Sequence, residues 1–168
     1  MEFGALWCTP KAPRCSDCVF SNKCFAALKG LQHELPVKIK QRVPRKRFFN
    51  YFVIKKGDSL LMKRREGRDI WKGLYDFYLV ETPKTRKPQD LIDSDSFLSR
   101  LSAATPTISQ DYKHALTHQT IISRFVLITV DQSSRLEEEP LKYFTSKKIN
   151  DLPKPVLISR FLKDYDLV

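Results

Sequence analysis

No run of about 18 apolar residues occurs in the sequence, so no segment is expected to cross a membrane as a helix. No basic leader precedes the first apolar residues. Glu2 is an acid, and the start MEFGALWC does not read as a secretion signal. The chain is therefore expected in the cytoplasm, where thiols stay reduced. Cysteine is absent after position 24, and acidic residues are few, 19 against 30 lysines and arginines. The resulting formal charge of +11 suits a polyanionic partner, with nucleic acid first among the candidates. Apolar residues, by contrast, are plentiful. They make up 42% of the 168 residues and include 11 Phe, 6 Tyr and 2 Trp, which is a globular profile with material for a buried core. The length allows one ordinary domain plus an appendage.

All the cysteines fall in CTPKAPRCSDCVFSNKC, residues 8–24, as Cys8, Cys15, Cys18 and Cys24. The spacing is C-x6-C-x2-C-x5-C. The x2 pair lets one tight turn offer two sulfurs to a common centre, and Cys8 and Cys24 close it from either side. Four thiolates suit a cubic iron–sulfur cluster or tetrahedral zinc, and the ligand types alone leave both open. Lys11 and Arg14 in the first loop offset thiolate charge or meet a phosphate backbone. No second cluster motif or flavin motif accompanies the site, which favours a structural role over redox catalysis.

After a short apolar helix candidate, CFAALKGL, comes LPVKIKQRVPRKRFFNY. Residues 38–47 hold Lys38, Lys40, Arg42, Arg45, Lys46 and Arg47 with no acid among them. Pro36 and Pro44 oppose a continuous helix, so this stretch is expected to be an extended, phosphate-contacting connector. From Arg47 the pattern turns to strands. FFNYFVIKK and SLLMKR flank Gly57-Asp58 and predict a hairpin. LYDFYLVE predicts a third strand, DSFLSRLSAA a helix, and HALTHQTIISRFVLITVD a further strand pair. Val156, Ile158, Phe161 and Leu162 lie at helical spacing after Pro153 and Pro155. The fold class expected is α+β, a mixed sheet with flanking helices, preceded by a short helical cysteine segment and a linker. Trp71 and Tyr75 read as core aromatics, and Asp69 as a turn cap or a partner of Arg68.

MEFGALWCTPKAPRCSDCVFSNKC resembles the last catalytic-domain helix and cysteine loop of the helix-hairpin-helix DNA glycosylases. That resemblance implies a 4Fe–4S cluster on Cys8, Cys15, Cys18 and Cys24, with the Cys8–Cys15 loop on the DNA backbone. DIWKGLYDF, residues 69–77, resembles the early strands of Nudix-type domains. A Nudix hydrolase needs G-x5-E-x7-R-E-x2-E-E-x-G, because several glutamates hold magnesium around a diphosphate. Here no glutamate lies between Glu81 and Glu137, and Glu137 to Glu139 stand beside Pro140, so hydrolase chemistry is not expected.

A Nudix-like domain without that box, after such a cluster and a basic connector, resembles the C-terminal portion of the MutY family of adenine DNA glycosylases. The resemblance runs over almost the whole chain, with the cysteines, connector, DIWKGLYDF and KHALTHQ in family order. It implies three regions: residues 1–28 as the end of a helix-hairpin-helix domain with the iron–sulfur loop, 29–46 as a basic connector, and 47–168 as a Nudix-like lesion-recognition domain. The implied partner is double-stranded DNA carrying 8-oxoguanine opposite adenine. The family's Phe-Ser-His recognition loop matches Leu116-Thr117-His118, with an aliphatic residue in place of the aromatic wedge. Lys113 is a further candidate for phosphate contact. The family's catalytic carboxylates lie before the cluster, and only Glu2 precedes Cys8 here, so this chain alone is expected to be inactive. A cluster held by this segment without the helices that pack beside it is open to loss. The competing readings are a Nudix-type nucleotide hydrolase and a zinc-stapled protein-interaction module.

Overall fold

The computed structural model describes residues 2–9, 11–35, 37, 44–101 and 105–168. The chain divides into two compact units, residues 1–42 and 43–168. Lys38, Lys40 and Arg42 of the connector, with Pro36, lie outside the described residues.

The first unit holds helix α1 (Glu2–Leu6), a 3-10 turn at Ser21–Lys23 and helix α2 (Phe25–Leu28). None of its described side chains is fully buried, and Leu6, Val19, Phe20, Phe25 and Leu28 are exposed. A segment this short cannot bury a core of its own.

The second unit is built on the long strand β1 (Arg45–Lys56). The hairpin predicted at Gly57-Asp58 forms, joining β1 to β2 (Ser59–Arg64) with Lys56 opposite Ser59. Gly57 takes φ 57°, the left-handed value such a tight hairpin turn needs. The predicted third strand is divided into β3 (Tyr75–Asp76) and β4 (Tyr78–Thr82). β3 pairs with β2 and β4 pairs with β1, so the chain changes partner at the buried Phe77.

Of the helix expected over 95–104, residues 102–104 lie outside the described residues, and no α-helix forms over 95–101. Helix α3 runs Pro88–Ser94, and Leu98–Leu101 form only a 3-10 turn. Pro88 sits in the first helical turn, where its fixed φ favours initiation. The Asp95 carboxylate accepts hydrogen bonds from the Phe97 and Leu98 N–H groups at 3.0 Å, which starts a new turn instead of continuing the helix.

Edge strands β5 (Thr107–Ile108) and β6 (Tyr112–Ala115) pair antiparallel with β7 (Gln119–Val130), which runs parallel to β1 along its whole length. β8 (Lys142–Thr145) pairs with β2 and leads into helices α4 (Ser146–Asp151) and α5 (Val156–Asp164). The mixed sheet with flanking helices is the expected α+β class.

Period-two alternation assigns β1 to two cores. Phe49, Tyr51 and Val53 meet Phe125, Phe161 and Leu162 on the face covered by α4 and α5. Phe52 and Ile54 meet Val126, Ile128 and Leu91 on the α3 face. Phe125 and Phe161 stack at 4.1 Å between ring centroids, fixing α5 to the sheet.

Candidate nucleic-acid interface

Leu116, Thr117 and His118 form the turn between β6 and β7, closed by the Leu116 N–H donating to the Gln119 carbonyl at 2.8 Å. Alternation on β6 directs Tyr112 and His114 to the α4/α5 face and Lys113 to the other. Leu116 is half-buried and packs against that first core, while Thr117 and His118 are exposed. The turn is thus anchored by its aliphatic residue and presents a hydroxyl and an imidazole.

The parallel β1–β7 pairing brings the end of the connector to this turn. The Arg45 N–H donates to the His118 carbonyl at 3.2 Å, and Lys46 stands opposite Thr120. Arg45, Lys46 and Lys113 are exposed, and none makes an ion pair among the described residues. Arg47 differs from the expectation of phosphate contact. Its side chain is only 12% exposed and pairs with Asp69 and Glu81, each at 2.6 Å. The side chain lies inward, over the Phe49 ring. Hydrogen bonds to Glu81 first, then Asp69, hold its guanidinium more firmly protonated than usual. The hydrogen bond from Arg47 likewise pulls the Asp69 carboxyl down to about 2.

These contacts belong to a chain of alternating charge that sequence reading missed: Glu81, Arg47, Asp69, Arg65 and Asp76. Asp69 pairs with Arg47 and Arg65, and no ion pair to Arg68 forms among the described residues. Arg65 donates to the fully buried Asp76 at 2.6 Å and to the Ile70 carbonyl at 3.2 Å. Burial raises the Asp76 pKa, against the lowering effect of Arg65. The loop between β2 and β3 is closed by Arg65 N–H to Leu74 carbonyl and Gly73 N–H to Arg65 carbonyl bonds at 2.9 and 2.8 Å. Within it Trp71 has φ 62°, and its ring lies 5.6 Å from His114 and 6.2 Å from Phe49. Asp69 and Arg47 are 22 residues apart, and no local pattern marks such a pair.

A cleft of about 450 Å³ is lined by Lys63, Arg64, Arg65, Glu66, Leu79 and Glu81 among others. Glu81 is already committed to Arg47. The three carboxylates near Pro140 are engaged as well: Glu138 with Arg100, Glu139 with Lys142, and Glu137 with the Tyr143 N–H.

In the first unit, Cys8, Cys15, Cys18 and Cys24 all line one small recess of about 40 Å³, together with Trp7, Pro13 and Ala27. The Cys18 N–H donates to the Cys15 carbonyl at 3.3 Å, the tight turn expected of the x2 pair. Among the described residues no three His, Cys, Asp or Glu side chains converge closely enough for a single ion. Arg14 lies over the Trp7 ring at 4.6 Å and is 3.9 Å from Asp17, and Lys11 is exposed.

Residues 50–164 match the family described as NUDIX domain, and the chain belongs to that family. The curated proteins it resembles are adenine DNA glycosylases, in keeping with the expected MutY resemblance. It is 25% identical over 158 residues to the adenine DNA glycosylase of Buchnera aphidicola subsp. Schizaphis graminum, covering 93% of this chain and 45% of that protein. It is 30% identical over 78 residues to the adenine DNA glycosylase of Buchnera aphidicola subsp. Acyrthosiphon pisum, covering 46% of this chain and 22% of that protein. The chain thus spans less than half the length of these curated relatives. Among solved structures, the C-terminal domain of mouse MUTYH, in complex with human PCNA, superposes with a TM-score of 0.60 at 14% identity, covering 73% of this chain and 88% of that one. A MutT protein from Methanosarcina mazei Go1 superposes with a TM-score of 0.52 at 13% identity, covering 77% and 96%. These two likenesses concern the fold.

Proposed function

We propose that this chain holds DNA and reads 8-oxoguanine opposite adenine for a MutY-type adenine DNA glycosylase working inside the cell. The observation that carries the reading is the Thr117–His118 turn, exposed at the end of β6 and β7 with Arg45, Lys46 and Lys113 around it. Cations next to an exposed polar turn divide the work as DNA interfaces do, with phosphate contacts placing the duplex and polar side chains reading a base edge. Guanine presents N7 as an acceptor. Oxidation at C8 makes N7 an N–H donor and adds a carbonyl acceptor. The Thr117 hydroxyl and the His118 imidazole can each donate and accept, so they suit both changed groups. Leu116 serves as the turn's anchor, and Lys11 and Arg14 meet the backbone from the cysteine loop.

The four cysteines fit a 4Fe–4S cluster. All of them line one recess, and the resemblance of their C-x6-C-x2-C-x5-C spacing to the glycosylase cysteine loop is what favours the cluster over zinc. When bound, the cluster would tie together a segment in which no described side chain is fully buried.

The test is duplex binding at fixed salt, with 8-oxoguanine or guanine opposite adenine. We expect tighter binding to the oxidised base, and His118→Ala to reduce that preference about tenfold, the scale of one good base contact, while sparing the affinity for undamaged DNA. Equal preference in the variant and the parent would remove the turn from lesion reading.

A further inference from the structure

We infer that Trp71 is a positioning residue, setting the orientation of the Thr117–His118 turn through the imidazole of His114. The inference rests on the reading of that turn as the lesion-contacting element.

Trp71 stands at φ 62°, a conformation that a bulky side chain adopts only when its surroundings impose it. Gly73, two residues on, takes φ 83° without penalty, so the loop places glycine at one left-handed position and the largest side chain at the other. The surroundings that impose it are visible. Asp69 is fixed by Arg47 and Arg65, the Trp71 carbonyl accepts from the Leu74 N–H at 3.1 Å, and Gly73 and Leu74 are bonded back to Arg65. The ion pairs therefore hold the loop in a shape that aims the indole at the sheet.

The indole meets two neighbours there. Phe49 is core, and its edge-on contact accounts for part of the ring's packing. His114 is not core. It is half-buried on the short edge strand β6, two residues before the turn begins. β6 pairs with β7 over four residues, Tyr112–Ala115, and the backbone of the turn is closed by the Leu116 N–H to Gln119 carbonyl and Arg45 N–H to His118 carbonyl bonds, so what remains to be set is how the side chains of the β6 end are seated. Tyr112 is held by its ring contact with Phe125 and its hydroxyl bond to Asp164. His114 is held by the Trp71 ring, tilted at 59° against it. Leu116, on the same face, completes the row that seats the turn. Trp71 thus bears on the half of β6 from which Thr117 and His118 project, without being part of the turn.

Two variants of the full chain test this. Trp71→Gly removes the ring and relaxes the backbone, and Trp71→Phe keeps an aromatic ring at the site. The readouts are the preference for 8-oxoguanine over guanine opposite adenine, and the amide and imidazole NMR signals of Thr117 and His118 in the free protein. With Trp71→Gly we expect the turn's signals to shift or broaden and the preference to fall about fivefold or more, with undamaged-DNA affinity within about twofold of the parent. We expect Trp71→Phe to restore the preference. Unchanged turn signals and preference in Trp71→Gly overturn the inference. So does an equal loss of affinity for both duplexes, which would mark the indole as general packing. A moved turn in a chain whose parent shows no lesion preference supports the mechanical link and overturns the lesion reading instead.

Discussion

Replacing Arg65 by methionine keeps most of the apolar stem and removes the cation bonded to the Asp76 carboxylate. Asp76 is 0% exposed, its Oδ2 accepts from Arg65 at 2.6 Å, and its Oδ1 has no hydrogen-bond partner among the described residues. Breaking a buried pair from one side costs about 3–5 kcal/mol, because the remaining charge has neither water nor a counterion. At roughly 4 °C per kcal/mol for a domain of this size, Tm should fall by about 12–20 °C. The pH dependence has a definite sign. Burial raises the pKa of Asp76 and Arg65 opposes that rise, so the variant's carboxyl should titrate higher still. An acid with a raised folded-state pKa contributes stability that is fully present below its unfolded pKa and is lost as pH rises through the folded one. The gap between parent and Arg65→Met should therefore be widest at pH 8 and should narrow on acidification. Asp76→Asn should be milder, near 1 kcal/mol, since Arg65 keeps Asp69 at 3.3 Å and the Ile70 carbonyl at 3.2 Å. Thermal unfolding followed by circular dichroism at pH 5 and pH 8 measures all three proteins. A loss below about 4 °C, a gap that ignores pH, or an Asp76→Asn as damaging as Arg65→Met would refute the assignment of Asp76 as a buried, Arg65-dependent charge.

Neutralising Arg45 and Lys46 with glutamine should weaken binding to every duplex and flatten the salt dependence by about 0.9 in log K per log salt for each phosphate no longer neutralised. Arg47→Gln should instead lower Tm and leave the slope unchanged, because its charge is spent on Asp69 and Glu81. A salt slope indifferent to the first change would remove Arg45 and Lys46 from the DNA interface. Protein purified without oxygen should carry about four irons with matching sulfide, and Cys18→Ser should lose most of both. Zinc in place of iron in the parent would replace the cluster by a single ion.

Local chemistry was legible where a few neighbouring residues settle the outcome. Gly57-Asp58 between two apolar runs makes the hairpin because glycine accepts the positive φ. The C-terminal helix was expected from Pro153, Pro155 and the spacing of Val156, Ile158, Phe161 and Leu162, and it forms over Val156–Asp164 with Leu157 buried and Val156 exposed. The DSFLSRLSAA helix was misplaced because a side-chain cap at Asp95 competes with helix continuation, and apolar spacing does not weigh that competition. The division of LYDFYLVE was hidden for another reason. Whether Phe77 interrupts a strand depends on β2 leaving β1, which no residue nearby encodes.

The candidate site divides in the same way. The cysteine spacing, the basic run and the hydroxyl–imidazole pair at Thr117 and His118 are consecutive or nearly so, and their chemistry is carried by residue type and interval. The sequence by itself therefore determined the cysteine spacing, the excess of positive charge and the resemblance to MutY glycosylases. Only the tertiary structure decided which of the described cations are already paired and which stand exposed. Parallel pairing of β1 with β7 sets Arg45 beside His118. Further along the same strand, Arg47 turns inward to Asp69 and Glu81, beside the loop that aims Trp71 at His114. The physical reason is that a cation's role follows from the nearest carboxylate in space, and here that carboxylate comes from a distant part of the chain.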